Sequence, residues 1–306
     1  MREMNQPHTN LTRRSFACGV IAAGATLAAR TGVDAAKKKP PYKKAVKIGM
    51  VNVKGSLTEK FKVLKALGYD GVELNSPNGP SPDAVRRAKE ATGLDVHGVV
   101  DSIHWRQTLS DPNAAVRRRG REGLKTALHY ARHYGATSVL LVPAVKRKGV
   151  ADYQQCWDRS LAEIKKVMPL AEDLGIHLLI ENVWNNFLVD PKEYARYIDA
   201  MDSKMAGAYF DVGNAVRYSA PHTWVPILGK RIVKLDIKEF DLEKAKKEGM
   251  GKGFAVKLLE GTCQWPKVMA ELRKIGYKGW GTAEIPGGGR KRLKEIAGRM
   301  DRIFAS

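Results

Sequence analysis

Cysteine is nearly absent from this chain: three residues in 306, of which only Cys156 and Cys263 lie beyond the N-terminal segment. Neither has a cysteine or histidine partner close by in sequence, so a zinc motif or a disulfide framework is unsupported. A single Cys156–Cys263 bridge stays open, but both residues read as buried free thiols. Also missing is a glycine-rich phosphate loop. Met50-Val51-Asn52-Val53-Lys54-Gly55, after the first candidate strand, carries no such fingerprint, which argues against a nucleotide-binding open sheet. No apolar run is long enough to span a bilayer. Acidic residues are outnumbered 32 to 53, for a net charge of +21. Such an excess can serve nucleic acid, anionic lipid or acidic polysaccharide. Here the cations (Arg86, Arg87, Arg117, Arg118, Arg119, Lys165, Lys166, Lys246, Lys247, Arg290, Lys291, Arg292) are spread through predicted helices, without the aromatic interleaving on which single strands stack. They read as solvated helix faces, and no nucleic-acid partner is expected.

What is present begins with a targeting pattern. Thr12-Arg13-Arg14-Ser15-Phe16 is a paired-arginine entry followed by a small-residue apolar run from Ala17 to Ala29. It predicts a twin-arginine-type signal peptide over residues 1–35, cleaved near Val33-Asp34-Ala35, with a periplasmic or otherwise extracytoplasmic destination and no stable membrane anchor after removal. Residues 36–45, lysine-rich with two prolines, read as a basic linker. From residue 46 to 306 the chain alternates short apolar runs with longer amphipathic stretches. Eight strands are expected, at 46–51, 71–74, 95–100, 138–143, 177–181, 206–211, 232–237 and 279–284. Helices are expected at 58–67, 82–92, 114–134, 155–174, 191–201, 223–228, 263–275 and 290–304. Several helices end in a glycine at the turn into a strand, as in Tyr134-Gly135-Ala136 and Leu174-Gly175-Ile176, where left-handed C-terminal caps form. Eight strand–helix repeats predict an α/β fold, a single (β/α)8 TIM barrel.

Four carboxylates sit where predicted strands of the second half end: Glu181 in LLIEN, Asp211 in AYFDVGN, Asp236 in IVKLDIKE and Glu284 in GWGTAEIPGG. In a parallel barrel these positions share one mouth, the end where barrel enzymes place their chemistry. Each acid alone has a second reading as the cap of the following helix, and Asp211 ahead of Val212-Gly213-Asn214 fits it. Four at matching positions instead describe an oxygen-rich seat for one divalent ion. Without a cation the like charges raise one another's pKa and force protonation. Carboxylate donors suit Mn²⁺ or Mg²⁺, with Co²⁺ and Zn²⁺ as softer options.

Around them lie further candidates for substrate binding. Glu73 ends the second strand, and His104 with Trp105 follows the third. Asn214 and Trp184 are placed at the rim. Lys238 shares the face of Asp236 by strand alternation and is placed to polarise a carbonyl. His97 reads as a core or wall residue, His222 and Trp224 as packing or loop residues. His129 and His133, at helical spacing, read as surface residues of the outer ring.

Gly71-Val72-Glu73-Leu74, Ile180-Glu181-Asn182, Phe210-Asp211-Val212-Gly213-Asn214, Arg231-Ile232-Val233-Lys234-Leu235-Asp236-Ile237-Lys238 and Ala283-Glu284-Ile285-Pro286-Gly287-Gly288 together resemble the sugar phosphate isomerase/epimerase group of the xylose-isomerase-like TIM barrels. In that family a glutamate, an aspartate, a histidine and a glutamate hold one divalent metal. The resemblance places these roles at Glu181, Asp211, Asp236 and Glu284, with aspartate standing where the family has histidine. It also implies an acid facing substrate at Glu73. The expected activity is isomerisation or epimerisation of a keto sugar or related derivative. Glu181 and Glu284 would move the proton through an enediolate, and a small sugar would be the partner. The alternatives are elimination on a 3-keto-glycoside, a carbohydrate-binding barrel without catalysis, and DNA repair of the endonuclease IV type. The last needs a histidine-rich three-zinc cluster, for which only His97, His104, His177 and His222 are near strands or loops. The sequence leaves substrate identity and homo-oligomer formation open.

Overall fold

The structure, a computed structural model, describes residues 41–146 and 151–306. The expected signal peptide and the first residues of the expected linker lie outside the described residues. Eight parallel strands close into a barrel in the order β1 to β8. They are β1 Lys43–Lys47, β2 Gly71–Ser76, β3 Asp95–Asp101, β4 Ser138–Leu141, β5 His177–Glu181, β6 Ala206–Asp211, β7 Ile232–Ile237 and β8 Trp280–Ala283. β1 pairs with β8 as well as with β2, which closes the ring and leaves no edge.

The first strand is displaced from its expected place. It begins at Lys43, so Lys43, Lys44 and Ala45 belong to the barrel wall and not to a linker. The apolar residues Ile48–Met50 form a 3₁₀ turn beyond it. Lys44 is buried yet satisfied, its Nζ 2.7 Å from Asp301 and 3.3 Å from the Ala297 carbonyl on the last helix.

Between the strands run α1 Leu57–Ala66, α2 Pro82–Thr92, α3 Ala114–Tyr134, α4 Tyr153–Lys165, α5 Met168–Leu174, α6 Pro191–Ala200, α7 Val212–Ala215, α8 Trp224–Leu228, α9 Leu242–Glu248, α10 Trp265–Lys274 and α11 Arg290–Ala305. The single helix expected at 155–174 is broken into α4 and α5. Pro169, which has no N–H to donate, sits in the first turn of α5, a place where that loss is harmless. Local signals start the others: Ser56 and Glu59 form a reciprocal capping box on α1, as do Asp152 and Gln155 on α4. α3 and α5 end in Gly135 and Gly175, both left-handed as expected.

Alternation along each strand divides the core in two. Outward residues such as Leu74, Val99, Val139, Ile180 and Phe210 pack against helix residues in one large apolar layer. Inside the barrel the apolar part is small: Leu140, Leu179 and Tyr209, with Val100 and Val233 against them. The rest of the lumen is polar, including Glu73, His97, Ser138, Lys234 and Thr282, all buried. A lumen that is filled below and charged above directs the chemistry to the C-terminal mouth.

Candidate active site

Glu181 closes β5, Asp211 closes β6, Asp236 lies within β7 and Glu284 follows β8 by one residue. The backbone brings one oxygen of each to within 4.8 Å of the others, a cluster that could hold a metal ion. Asp211 and Asp236 are fully buried, Glu181 nearly so, and the Glu284 side chain is one-third exposed to the cavity above.

Asp211 caps the following helix as well as standing in the acidic cluster. Its Oδ1 accepts the Asn214 N–H at 2.8 Å and so caps α7, while its Oδ2 accepts from Asn214 Nδ2 at 2.7 Å. Asn214 Nδ2 also reaches the Asn182 carbonyl at 3.0 Å, so this amide orients Asp211 in addition to lining the cavity. Asn182 ties the adjacent strand ends together, donating to the Asp211 carbonyl and accepting its N–H.

Two ammonium groups stand among the acids. Lys238 Nζ is 2.8 Å from Asp211 Oδ2 and 3.2 Å from Glu284 Oε2, as its shared face with Asp236 allows. Lys47, at the end of β1, was not among the expected site residues. Its Nζ is 3.0 Å from Asp236 Oδ2, 2.9 Å from Glu284 Oε2 and 3.9 Å from Glu73 Oε2. Burial favours the neutral amine at both lysines, but the surrounding carboxylates outweigh it and hold both firmly charged.

The acids respond unequally. Burial pushes Glu181 up to about 8, with Lys47 pulling back, and pushes Asp236 well above the carboxylate range. Burial also raises Asp211. At Glu284 the effect of burial is reversed by Lys47 and Lys238, which together hold it well below the ordinary range. Glu181 has no hydrogen bond or ion pair among the described residues, and Asp236 Oδ1 is enclosed without a partner.

These unpaired oxygens test whether the residues fit a divalent ion. With all groups ionised, Glu73, Glu181, Asp211, Asp236 and Glu284 face Lys47, Lys234 and Lys238, an excess of two negative charges. One divalent cation balances that excess, and protons on Glu181 and Asp236 are the substitute without it. An all-oxygen donor set with two unsatisfied members fits a hard cation.

Glu73, expected to face substrate, is completely covered and lies below Lys47 in the lumen. The position next to the cavity on β2 belongs to Asn75. Lys234 Nζ donates to the His97 carbonyl, and burial lowers it to about 7. His97 is a lumen residue stacked on Trp280, with ring centroids 4.5 Å apart. His129 and His133 are exposed on α3, and the two thiols are buried and free, as expected. Among the described residues no histidine joins the acidic cluster, so a zinc-repair site of the histidine-rich type has no counterpart there.

Above the acids opens a cavity of about 730 Å³, lined by Lys47, Glu181, Lys238 and Glu284 at its floor and by His104, Trp105, Trp184 and Phe254 on its walls. The last of these arrives on an excursion after β7, comprising α9 and the 3₁₀ turn Met250–Phe254, which periodicity did not indicate. Phe254 packs on Trp184 at 4.6 Å and Phe240 at 4.8 Å. The buried Glu239 carboxylate pins the return of this excursion, accepting from Leu259 N at 2.6 Å, Cys263 N at 3.3 Å and Trp265 Nε1 at 2.8 Å.

The family described as xylose isomerase-like TIM barrel matches residues 61–303. Among solved structures, a D-tagatose 3-epimerase-like protein superposes with a TM-score of 0.71 at 20% identity, covering 86% of this chain and 97% of that one. The 3-keto-D-glucoside 4-epimerase of E. coli gives 0.71 at 14%, covering 87% and 100%. The IOLI protein with a bound zinc atom gives 0.70 at 12%, covering 86% and 98%.

Proposed function

Because the chain belongs to the xylose isomerase-like TIM barrel family, we propose that it is a divalent-metal-dependent isomerase or epimerase of a keto sugar or related derivative. The observation that carries this reading is the convergence of Glu181, Asp211, Asp236 and Glu284 beneath an open, aromatic-walled cavity. The ion they would hold is Mn²⁺ or Mg²⁺ by the chemistry of the donors, although the zinc of the IOLI protein shows a similar barrel with a softer ion. When bound, such an ion supplies Lewis-acid polarisation of a substrate carbonyl.

The protein's own groups supply the proton chemistry. Glu181 and Glu284 line the cavity in different electrostatic settings, one with burial raising its pKa and one held low by two lysines. With an ion in place of the proton on Glu181, two carboxylates facing one cavity suit a pair in which one takes the proton next to the carbonyl and the other returns one, through an enediolate. Lys238 and Lys47 put positive charge at the floor of the cavity, where it would stabilise negative charge developing on a substrate oxygen. Trp105, 45% exposed, and Trp184 offer apolar faces to the C–H side of a sugar. The cavity also has room for a substrate larger than a free ketose, and elimination on a 3-keto-glycoside is the second reading.

The test is incubation in D₂O with Mn²⁺, a panel of ketoses and 3-keto-glycosides, and NMR. Deuterium should enter a carbon beside the carbonyl, and chelation or Glu181→Gln should abolish entry. Exchange that is indifferent to chelation, or absent across the panel, would count against the reading. An exported enzyme is part of the proposal, supported by Arg13 and Arg14. Replacing both by lysine should leave precursor in the cytoplasm, and unchanged export would refute that part.

A further inference from the structure

His104 stands in the loop after β3 and reaches across to the end of β4. The Val142 N–H donates to its Nδ1 at 3.2 Å. A backbone N–H can only donate, so Nδ1 must offer a lone pair, and the ring proton of the neutral imidazole is confined to Nε2. Nε2 makes no hydrogen bond among the described residues and is not one of the enclosed unpaired atoms. It therefore opens onto the cavity that the residue lines. The ring is held from the side as well, edge to face against Trp105 with centroids 5.7 Å apart and an interplanar angle of 75°.

We propose that His104 is a permanently neutral, tautomer-locked donor, whose Nε2–H binds a sugar oxygen and stabilises the charge it gains during proton transfer. This rests on the sugar isomerase or epimerase reading and assigns within it a group that donates without ever accepting or releasing a proton. The surroundings keep it neutral: burial lowers its pKa to about 3, the Lys47 charge adds to that, and Glu284 opposes only weakly. A neutral imidazole is the weaker acid and so returns no proton to the intermediate, leaving proton transfer to the carboxylates. With the exposed indole of Trp105 beside it, the corner presents an apolar plate and one donor at an angle, a pairing suited to a sugar that shows both a C–H face and an oxygen.

The experiment has two arms. In the first, protein labelled with ¹⁵N-histidine is followed by long-range ¹H–¹⁵N NMR from pH 5 to 9, with the His104 signal assigned by its loss in His104→Gln. The expected result is an unprotonated Nδ1 and a protonated Nε2 throughout. A protonated Nδ1, or a titration inside this range, would overturn the proposal. In the second arm, deuterium exchange into D-tagatose and a 3-keto-D-glucoside is compared for His104→Gln, which carries an amide donor near Nε2, and His104→Asn, which carries an acceptor near Nδ1. A donor role predicts that Gln stays within about tenfold of wild type, whereas Asn loses about a hundredfold or more in kcat, the scale of a lost charge-stabilising donor. Rescue by Asn and failure of Gln would show that only the Val142 contact matters and would refute the donor role. If wild type exchanges neither probe, it is the sugar reading that fails. The first arm reads the tautomer of the free protein whatever the substrate.

Discussion

Lys47→Met removes the ammonium while keeping the aliphatic stem, and two measurable effects of opposite sign should result. The charge stands 3.0 Å from Asp236 and 2.9 Å from Glu284 in a buried setting. In the metal-free protein Asp236 holds a proton, so the charge pair is the one with Glu284, a Coulomb attraction of about 5 kcal/mol at an effective dielectric constant of about 20. Desolvation offsets most of this, and deleting one partner of a buried pair costs about 3–5 kcal/mol. One kcal/mol moves the melting midpoint of a chain of this size by about 2–4 °C. The metal-free variant should thus melt roughly 10 °C below wild type. A divalent ion then acts the other way, because Lys47 competes with it for Asp236 and Glu284. By calorimetry, Mn²⁺ should bind the variant about tenfold more tightly or better, and saturation should close most of the gap in midpoint.

The deficit should also depend on pH in a defined sense. Lys47 and Lys238 hold Glu284 below its ordinary value of 4.5 despite burial. A carboxyl with a depressed folded-state pKa stabilises the fold above its unfolded value and loses that contribution as acid protonates it. The difference between wild type and Lys47→Met should therefore be largest near pH 7–8 and shrink as pH falls below about 4.5. Equal metal-free midpoints at pH 8, or an equal upward shift of both proteins by Mn²⁺, would refute the picture of an ammonium group embedded in the cation seat.

Asp236→His removes one negative charge from that seat, so metal binding should persist with preference moving towards Co²⁺ and Zn²⁺. Identical affinities for all ions in both proteins would mean that Asp236 does not touch the metal. Asp101, buried at the end of β3, has its pKa pushed by burial up to about 7 from 3.8. A raised carboxyl makes the folded state hold a proton that the unfolded state releases, so wild-type stability should fall as pH climbs from about 4 to about 7. Asp101→Asn keeps the acceptor for the Ile103 N–H and should match wild type near pH 4 yet exceed it at pH 8 by at most about 4 kcal/mol in urea unfolding. A difference independent of pH would contradict this. Glu239→Ala strands the Leu259, Cys263 and Trp265 donors and should speed hydrogen exchange across residues 240–264 while leaving β1 to β6 protected; uniform loosening would argue against a local latch.

How much of this site could be read from sequence depended on locating the last residue of each strand. Glu181 and Asp211 were legible because each closes an uninterrupted apolar run, and the observed β5 and β6 end where those runs end. The period of two then put Asp236 and Lys238 on one face without further information. The first two strands show the opposite case. The mostly apolar stretch 46–51 suggests a strand there, while the charges of Lys43 and Lys44 disguise its true beginning. Lys44 is tolerated in the wall only because Asp301 and a helix carbonyl receive it, a long-range contact that local pattern does not carry. With the strand placed correctly, Lys47 becomes the terminal inward residue of β1 and thus a member of the mouth. On β2 the local pattern stops at Leu74, ahead of Asn75-Ser76-Pro77. The strand continues to Ser76, so the inward residue nearest the cavity is Asn75 and Glu73 lies one step below. Two residues along a strand are about 6.6 Å, the distance between touching a substrate and being sealed beneath it. The Glu239-pinned excursion was hidden for another reason: α9 is short and lysine-rich, and its placement depends on one buried carboxylate meeting donors some twenty residues further on. Chemistry that sits on regular strand ends is written locally. Chemistry that depends on which side chain is last, or on what a loop folds back against, is set by tertiary closure.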